Sequence, residues 1–152
     1  MEKYREQINP TFDMKIIYAK MVADLLHPGH ISFLEQARGL GDRLVVHVVS
    51  DERVQKIKRR PIMNQSERAI MLRSCKFVDE VRLDGPKDID DAFLIENGFD
   101  LFAYGYVDEK EREVKAKDYR NIPAHKKTVI PYSHNVSTTQ IIERIRKRMD
   151  ED

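Results

Sequence analysis

Two histidines separated by Pro-Gly are the residues of this 152-residue chain that most directly suggest chemistry; they lie in residues 24–30, DLLHPGH. An apolar run precedes them and apolar residues at helical spacing follow, so they lie between a strand and a helix. The free N–H groups of a helix N-terminus attract anions. Pro28 fixes the turn, and Gly29 lets a bulky ligand approach the backbone. His27 and His30 therefore indicate polyphosphate chemistry, in which imidazoles donate hydrogen bonds to charge that develops during displacement.

A zinc site and a purely structural histidine pair are the alternatives to this interpretation. Zinc needs three or four ligands, whereas the single cysteine, Cys75, and the scattered His47, His125 and His134 offer no ligand spacing. We therefore predict no protein metal site. A structural pair stays open on the pattern alone. No serine–histidine–acid or cysteine–histidine arrangement stands out either, so no protein nucleophile is predicted.

The composition limits the classes of partner that the chain is expected to bind. The 27 Lys and Arg residues nearly balance the 26 Asp and Glu residues, for a formal charge of +1, which argues against a dedicated nucleic-acid binder. No apolar run approaches the roughly 18 residues that cross a bilayer, and the polar N-terminus lacks the apolar region of a signal peptide. One cysteine allows no internal disulfide. We expect a cytoplasmic protein that has neither a nucleic acid nor a membrane as a partner.

Short apolar runs alternate with amphipathic stretches along the chain. Strands are predicted over residues 14–19, 44–49, 78–83, 101–104 and 128–131. Helices are predicted from Pro28 to the glycines at 39 and 41, over 64–74 and 89–97, and after Ser137. This alternation implies right-handed βαβ units, and hence an α/β, Rossmann-like fold with a parallel five-stranded sheet flanked by helices. We expect one domain over residues 1–152, with residues 1–13 as an N-terminal arm.

The carboxyl ends of parallel strands form the ligand-binding edge of such a sheet. The loops that would meet there follow Lys20, Ser50, Tyr104 and Pro131. The histidine segment belongs to the first of these loops.

Several ordered motifs resemble one enzyme superfamily. HPGH at 27–30, after a strand and opening a helix, resembles the HxGH motif of the nucleotidylyltransferases, and Asp24 resembles their cytidylyltransferase branch. Lys58 with Pro61, then NQSER at 64–68 and FVDEV at 77–81, resemble later segments of that branch. VSTTQI at 136–141 resembles the ISTTxI motif of glycerol-3-phosphate and ethanolamine-phosphate cytidylyltransferases. The motifs cover roughly residues 14–146.

This resemblance implies a HIGH-type nucleotidylyltransferase fold and a reaction. A phosphate or phosphonate oxygen of a small acceptor attacks the α-phosphorus of a nucleoside triphosphate, most favourably CTP, and pyrophosphate is released. Catalysis would rest on positioning and charge stabilisation. Mg²⁺ is expected with the triphosphate, held by phosphate oxygens and water. Relatives of this size imply a homodimer. The alternatives are an ATP-dependent adenylyltransferase acting on FMN or a similar acceptor, a heptose-phosphate nucleotidyl domain, and a catalytically inactive nucleotide-binding domain.

The resemblance also implies residue roles. His27 and His30 would contact the triphosphate and stabilise the α-phosphoryl group, and Lys58 would bridge the phosphates of the two substrates. Lys58 could instead belong to a solvated basic face, since residues 56–60 read KIKRR. The other expected nucleotide-binding residues are Met21, Val22, Asp24, Gly29, Arg68, Gly105, Ser137, Thr138 and Thr139. For Arg68 the alternative is a surface ion pair with Glu67 or Glu35, and for the Ser-Thr-Thr segment an ordinary helix N-cap.

Three segments depart from the family pattern. Relatives read Gly-x-Phe-Asp before HxGH, where this chain has MVAD at 21–24. That form, followed by HPGH, resembles nucleotidylyltransferase domains associated with phosphonate metabolism, and this resemblance favours a phosphonate acceptor. GYVD at 105–108 replaces a Gly-Asp-Asp-Trp segment, and YSHN at 132–135 replaces a segment with an arginine. Because these segments line the acceptor and base pockets of relatives, the acceptor stays unassigned.

Overall fold

The structure is a computed structural model that describes residues 14–132 and 136–152. The predicted N-terminal arm, residues 1–13, and residues 133–135 of the YSHN segment lie outside the described residues. Five strands form one sheet: β1 (Ile16–Met21), β2 (Arg43–Val48), β3 (Glu80–Arg82), β4 (Leu101–Tyr104) and β5 (Lys127–Val129). Every neighbouring pair is parallel, and the strand order is β3-β2-β1-β4-β5. The predicted Rossmann-like fold class is confirmed.

Helices connect the strands. They are α1 (Pro28–Arg38), α2 (Asp51–Ile57), α3 (Gln65–Arg73), α4 (Asp91–Asn97), α5 (Glu109–Asp118) and α6 (Thr138–Glu151). A short 3₁₀ helix, Ala124–Lys126, precedes β5. Among the described residues, none of the helices combines the length and the apolar character needed to cross a membrane.

The predicted strands and helices are all present, with boundaries shifted by up to two residues. Helices α2 and α5 were not predicted. The reason is physical, because α5 buries none of its side chains and α2 buries only Val54, so neither carries an apolar stripe. Both begin at a local cap instead: the side chains of Ser50 and Asp108 accept hydrogen bonds from backbone N–H groups in the first turn.

Alternate residues of the strands pack into two separate apolar clusters. On one face, α1 and α3 cover β1, β2 and β4, and the cluster includes Ile17, Ala19, Phe33, Leu34, Val46 and Leu72. On the other face, α4 and the residues that follow α5 cover Tyr18, Val45 and Phe102. The end of β1 therefore lies between two helix layers, at the point where the strand order reverses. This is where ligands bind in open α/β sheets.

Candidate active site

The two histidines cap helix α1. His27 is the N-cap residue, and its Nδ1 accepts a hydrogen bond from the N–H of Gly29 at 3.0 Å. The Nδ1 of His30 accepts from the N–H of His27 at 3.2 Å. Because each Nδ1 is an acceptor, the proton of each neutral ring is on Nε2. Within the described residues neither Nε2–H group has a protein partner, so both are available to donate to a ligand.

Burial keeps these imidazoles neutral. The ring centroids are 3.8 Å apart, and both residues are buried. Burial, which is the largest cause, and the charges of His27 and Lys58 together lower the pKa of His30 to about 3. Burial also lowers the pKa of His27. The pair therefore offers hydrogen-bond donors without two adjacent positive charges.

Gly29 is required by packing inside the protein. A Cβ atom at this position would lie 2.8 Å from Cε1 of His27 and 3.0 Å from the carbonyl oxygen of Val136. The first turn of α1 thus packs against both the His27 ring and the residues that lead into α6. The predicted reason for this glycine was close approach of a ligand, and the structure adds this internal contact.

Residues 22–24 join three parts of the site. The carboxylate of Asp24 accepts hydrogen bonds from the N–H groups of Ile62 and Met63, both at 2.9 Å. The carbonyl oxygen of Asp24 accepts from the hydroxyl of Thr138 at 2.8 Å. Ala23 has a φ of 56°, a left-handed conformation that costs a non-glycine residue about 1–2 kcal/mol. The segment thus connects the histidine turn to the loop after α2 and to the start of α6.

Arg68 does not have the role predicted for it. Its side chain is fully buried, with Nη1 donating to the carbonyl of Val22 at 2.7 Å and Nε to the carbonyl of Met63 at 3.0 Å. Its Nη2 forms an ion pair with Asp51 at 2.7 Å. A guanidinium enclosed in this way cannot touch a bound phosphate. The predicted surface ion pair with Glu67 or Glu35 is also wrong, because the partner is Asp51. Arg68 holds the loops around the site.

The start of α6 lies beside the histidine turn. Ser137 is its N-cap and forms a capping box with Gln140, as the N-cap interpretation predicted. The hydroxyl of Thr138 donates to the carbonyl oxygen of Asp24. Two of the three predicted hydroxyls therefore have protein partners, whereas Thr139 is exposed. The N–H of Gln140 is donated to the Ser137 hydroxyl, which leaves the N–H groups of Thr138 and Thr139 for an anion.

The loop after α2 brings positive charge to the histidines. Lys58 is the C-cap residue of α2 and is exposed, yet its charge lowers the pKa of His30, so the two groups are close. Arg59 carries the one buried side-chain nitrogen or oxygen, its Nε, that has no hydrogen-bond partner among the described residues. From the sequence, Arg59 was simply one member of a basic run. A buried donor without a partner marks it as a stronger candidate for binding an anion.

The remaining predicted residues are occupied by protein contacts. The side chain of Met21 is buried in the core, and its carbonyl accepts from the N–H of Val49. The carbonyl of Val22 is taken by Arg68. A Cβ atom at Gly105 would lie 2.8 Å from both the carbonyl oxygen of Ile130 and Cε2 of Tyr132. The structure therefore places Gly105 in the β4–β5 part of the edge.

Tyr132 belongs to the YSHN segment, where the family resemblance predicts an arginine, and it is the one residue of that segment that the structure describes. Its ring lies over that of Phe33 in α1, with centroids 5.7 Å apart. Burial raises the pKa of its phenol to about 12, so the group is neutral. The positive charge expected here is absent from this residue, and an aromatic contact between α1 and the end of β5 stands in its place.

A magnesium ion bound with the triphosphate is compatible with these residues. No group of three His, Cys, Asp or Glu residues converges within the described part of the chain. The carboxylate of Asp24, which is nearest to the histidines in sequence, is already satisfied by two backbone N–H groups. Phosphate oxygens and water would therefore supply the ligands of the ion.

A parallel α/β fold with paired histidine donors at a central helix N-terminus defines a nucleotide-handling enzyme of the HxGH type. Comparison with known proteins agrees. The family model described as "Cytidylyltransferase-like" matches residues 22–144. The chain belongs to this family, and it is a nucleotidylyltransferase.

Named relatives include FAD synthases and ethanolamine-phosphate cytidylyltransferases. An FAD synthase from Thermococcus onnurineus is 40% identical over 134 residues, which cover 85% of this chain and 89% of that protein. An ethanolamine-phosphate cytidylyltransferase from Dictyostelium discoideum is 36% identical over 131 residues, which cover 85% of this chain but 36% of that protein. Among solved structures, a lipopolysaccharide core biosynthesis protein from Thermoplasma volcanium is similar, with a TM-score of 0.59, 29% identity and coverage of 81% and 99% of the two chains.

Proposed function

We propose that this protein transfers CMP from CTP to a phosphate or phosphonate oxygen of a small acceptor and releases pyrophosphate. The observation that carries the proposal is the convergence organised by residues 22–24. Asp24 in this segment joins the histidine turn to residues 62–63, which follow the basic residues Lys58 and Arg59, and to Thr138 at the start of α6. Donors and positive charges of this kind suit a triphosphate.

The reaction would proceed by direct displacement. An acceptor oxygen forms a bond to the α-phosphorus while the bond from that phosphorus to the bridging oxygen breaks, and pyrophosphate leaves with the bridging oxygen. The Nε2–H groups of His27 and His30 donate to the α-phosphoryl oxygens, whose charge they stabilise in a site shielded from water. Lys58 and Arg59 offset charge on the phosphates. No protein group forms a covalent bond.

Magnesium and a second copy of the chain complete the proposal. Bound with the triphosphate, Mg²⁺ offsets its negative charge, with ligands from phosphate and water. The expected homodimer is tested by sedimentation equilibrium at micromolar concentration, where a monomer alone would refute it.

Adenylyl transfer from ATP to FMN or a similar acceptor is the second candidate. The observation that favours it is coverage: the Thermococcus FAD synthase matches over 89% of its length, and the Dictyostelium cytidylyltransferase over 36% of its length. The similarity of VSTT at 136–139 to the motif of cytidylyltransferases favours CTP.

Pyrophosphate release tests both candidates. CTP, ATP, GTP and UTP are each combined with Mg²⁺ and with glycerol phosphate, phosphocholine, phosphoethanolamine, 2-aminoethylphosphonate, hydroxyethylphosphonate, sugar phosphates and FMN. His30→Ala is the inactive variant. His125→Ala is the matched control, because His125 is exposed in the 3₁₀ helix that precedes β5, at the opposite edge of the sheet.

Each outcome assigns the function. Release with CTP and one acceptor, lost in His30→Ala and kept in His125→Ala, supports the proposal. Pyrophosphate release with ATP alone would show that the protein transfers AMP from ATP instead of CMP from CTP. Binding of a nucleotide without release under any combination would refute catalysis and support the inactive nucleotide-binding domain.

A further inference from the structure

A second polar region lies at the carboxyl end of β1, on the face opposite α1. Lys20 is the penultimate residue of β1, and its neighbours Ala19 and Met21 both face the cluster beneath α1 and α3. The side chain of Lys20 therefore lies on the α4 side of the sheet. Its ammonium donates to the carbonyls of Pro86 and Lys87, at 3.1 and 3.2 Å, in the loop between β3 and α4. Two of its three N–H groups are used, and their geometry fixes its position.

Close packing against this loop confirms that the lysine is held in place. A Cβ atom at Gly85 would lie 3.3 Å from Cγ of Lys20. The N–H of Gly85 donates to the carbonyl of Val48, the last residue of β2, at 3.0 Å. The loop is therefore anchored to the ends of β1 and β2 together.

Arg53 brings a second positive charge to the same place. The N–H of Val49 donates to the carbonyl of Met21 at 3.0 Å, so the end of β2 lies beside the end of β1. Arg53 follows in the first turn of α2. Its side chain is partly buried, and it forms no hydrogen bond or ion pair with the described residues.

Positive and negative charges both lie near Lys20. Burial lowers the pKa of Lys20, and the charge of Arg53 is the largest electrostatic contribution in the same direction. Lys115 acts in that direction as well, whereas Asp88 and Asp118 oppose it. Lys115 already has partners in Glu111 and the carbonyl of Gly105. One N–H group of Lys20 and the guanidinium of Arg53 have no hydrogen-bond partner among the described residues and can donate to an anion.

The position of this region matches the geometry of the displacement. The attacking and leaving oxygens of a phosphoryl group are roughly in line, on opposite sides of the phosphorus. The histidine turn and the start of α6 lie on the α1 side of β1, where we place the triphosphate. Lys20 lies on the opposite face of the sheet, from which an acceptor in line with the leaving pyrophosphate can approach.

We propose that Lys20 and Arg53 bind the phosphate or phosphonate group of the acceptor, in a subsite separate from that of the triphosphate. The proposal rests on the proposed function for the identity of the anion. The third N–H of Lys20 and the guanidinium of Arg53 each donate to one oxygen of the group, and the remaining oxygen attacks the α-phosphorus. The subsite recognises the shared anionic head and leaves the rest of the acceptor unrestricted.

Direct binding tests the subsite without catalysis. The protein is saturated with the non-hydrolysable α,β-methylene analogue of CTP. Methylphosphonate or methyl phosphate is then titrated into it, and the ³¹P NMR signal of this added probe is followed. The two probes distinguish a phosphonate from a phosphate preference. Lys20→Met and Arg53→Gln are expected to bind about tenfold more weakly, the effect of one lost charge-assisted hydrogen bond. Arg73→Gln, an exposed arginine at the end of α3, is the matched control and keeps wild-type affinity.

The outcomes separate this proposal from the proposed function. If Lys20→Met fails to fold because two loop carbonyls lose their donor, Arg53→Gln carries the test. Affinity within twofold of wild type in Arg53→Gln, or no binding of either probe to the wild type, overturns the subsite. If probe binding depends on Lys20 and Arg53 but no nucleotide supports pyrophosphate release, the proposed function fails and the subsite stands. With turnover, the acceptor KM rises in both variants and the nucleotide KM does not.

Discussion

Replacement of Arg68 by methionine separates a residue that positions loops from one that contacts substrate. The substitution keeps most of the side-chain volume but leaves the carbonyls of Val22 and Met63 buried without donors. Each such group costs about 1–3 kcal/mol. The ion pair with Asp51 adds little, because that carboxylate is 41% exposed and water can replace the guanidinium. The free energy of unfolding is therefore expected to fall by about 2–6 kcal/mol.

Urea unfolding measures this loss, and Asp51→Asn is its control. Asp51→Asn removes the charge of the exposed partner alone and is expected to cost about 1 kcal/mol or less. For a chain of this size the loss in Arg68→Met corresponds to a decrease in Tm of roughly 4–24 °C. Nucleotide affinity should fall only to the extent that the loops held by Arg68 lose their positions. A loss of stability below about 1 kcal/mol, together with a large rise in the nucleotide KM, would show that Arg68 contacts the nucleotide and refute this reasoning.

Three further predictions concern the histidine turn. His30→Ala should lower turnover by about 10²–10³-fold, the effect of one lost donor to developing charge, while circular dichroism shows an intact fold; a near-normal rate contradicts the assignment. Because the pKa of His30 is about 3 in the folded chain and about 6.5 in the unfolded chain, the unfolded state binds more protons between these values, so stability is full above pH 6.5 and declines as pH falls. The free energy of unfolding, measured with urea, should fall between pH 7 and pH 5 by about 2 kcal/mol more in the wild type than in His30→Gln. Equal decreases in the two proteins would show that the imidazole is not held neutral. Gly29→Ala should lower turnover strongly and Tm only slightly, because the added Cβ displaces the His27 ring. Turnover assays and thermal melts check this, and a wild-type rate would show that the turn accommodates the Cβ without moving the ring.

The elements that could be predicted are those with local signals. The capping box of Asn64 with Glu67 marks the start of α3, and the left-handed Gly98 marks the end of α4. Helix α5 has neither an apolar face nor a buried residue, so periodicity cannot find it. Its N-cap, Asp108, and the ion pair between Glu111 and Lys115 one turn apart were the signals that were present.

The candidate site also contains residues that a local sequence pattern reveals and residues whose roles depend on distant contacts. The spacing of His27 and His30 is local and is visible in the sequence. The role of Arg68 is not, because it depends on Val22, which is 46 residues away, and a charged residue beside Glu67 looks like part of an exposed helix face. The approach of Arg53 to Lys20 likewise depends on how the ends of β1 and β2 meet, which no local pattern shows.

The hydrogen bond from Thr138 to the carbonyl of Asp24 joins residues 114 positions apart. At ribosomal rates, synthesis of that length takes on the order of ten seconds. During this interval the histidine turn has been made, but the segment with its left-handed Ala23 still lacks one of its fixing partners. The nascent chain therefore carries the histidines long before the site is complete, and the beginning of α6 is the last part of it to be made. Biosynthesis itself thus delays activity until all five strands of the sheet have been synthesised.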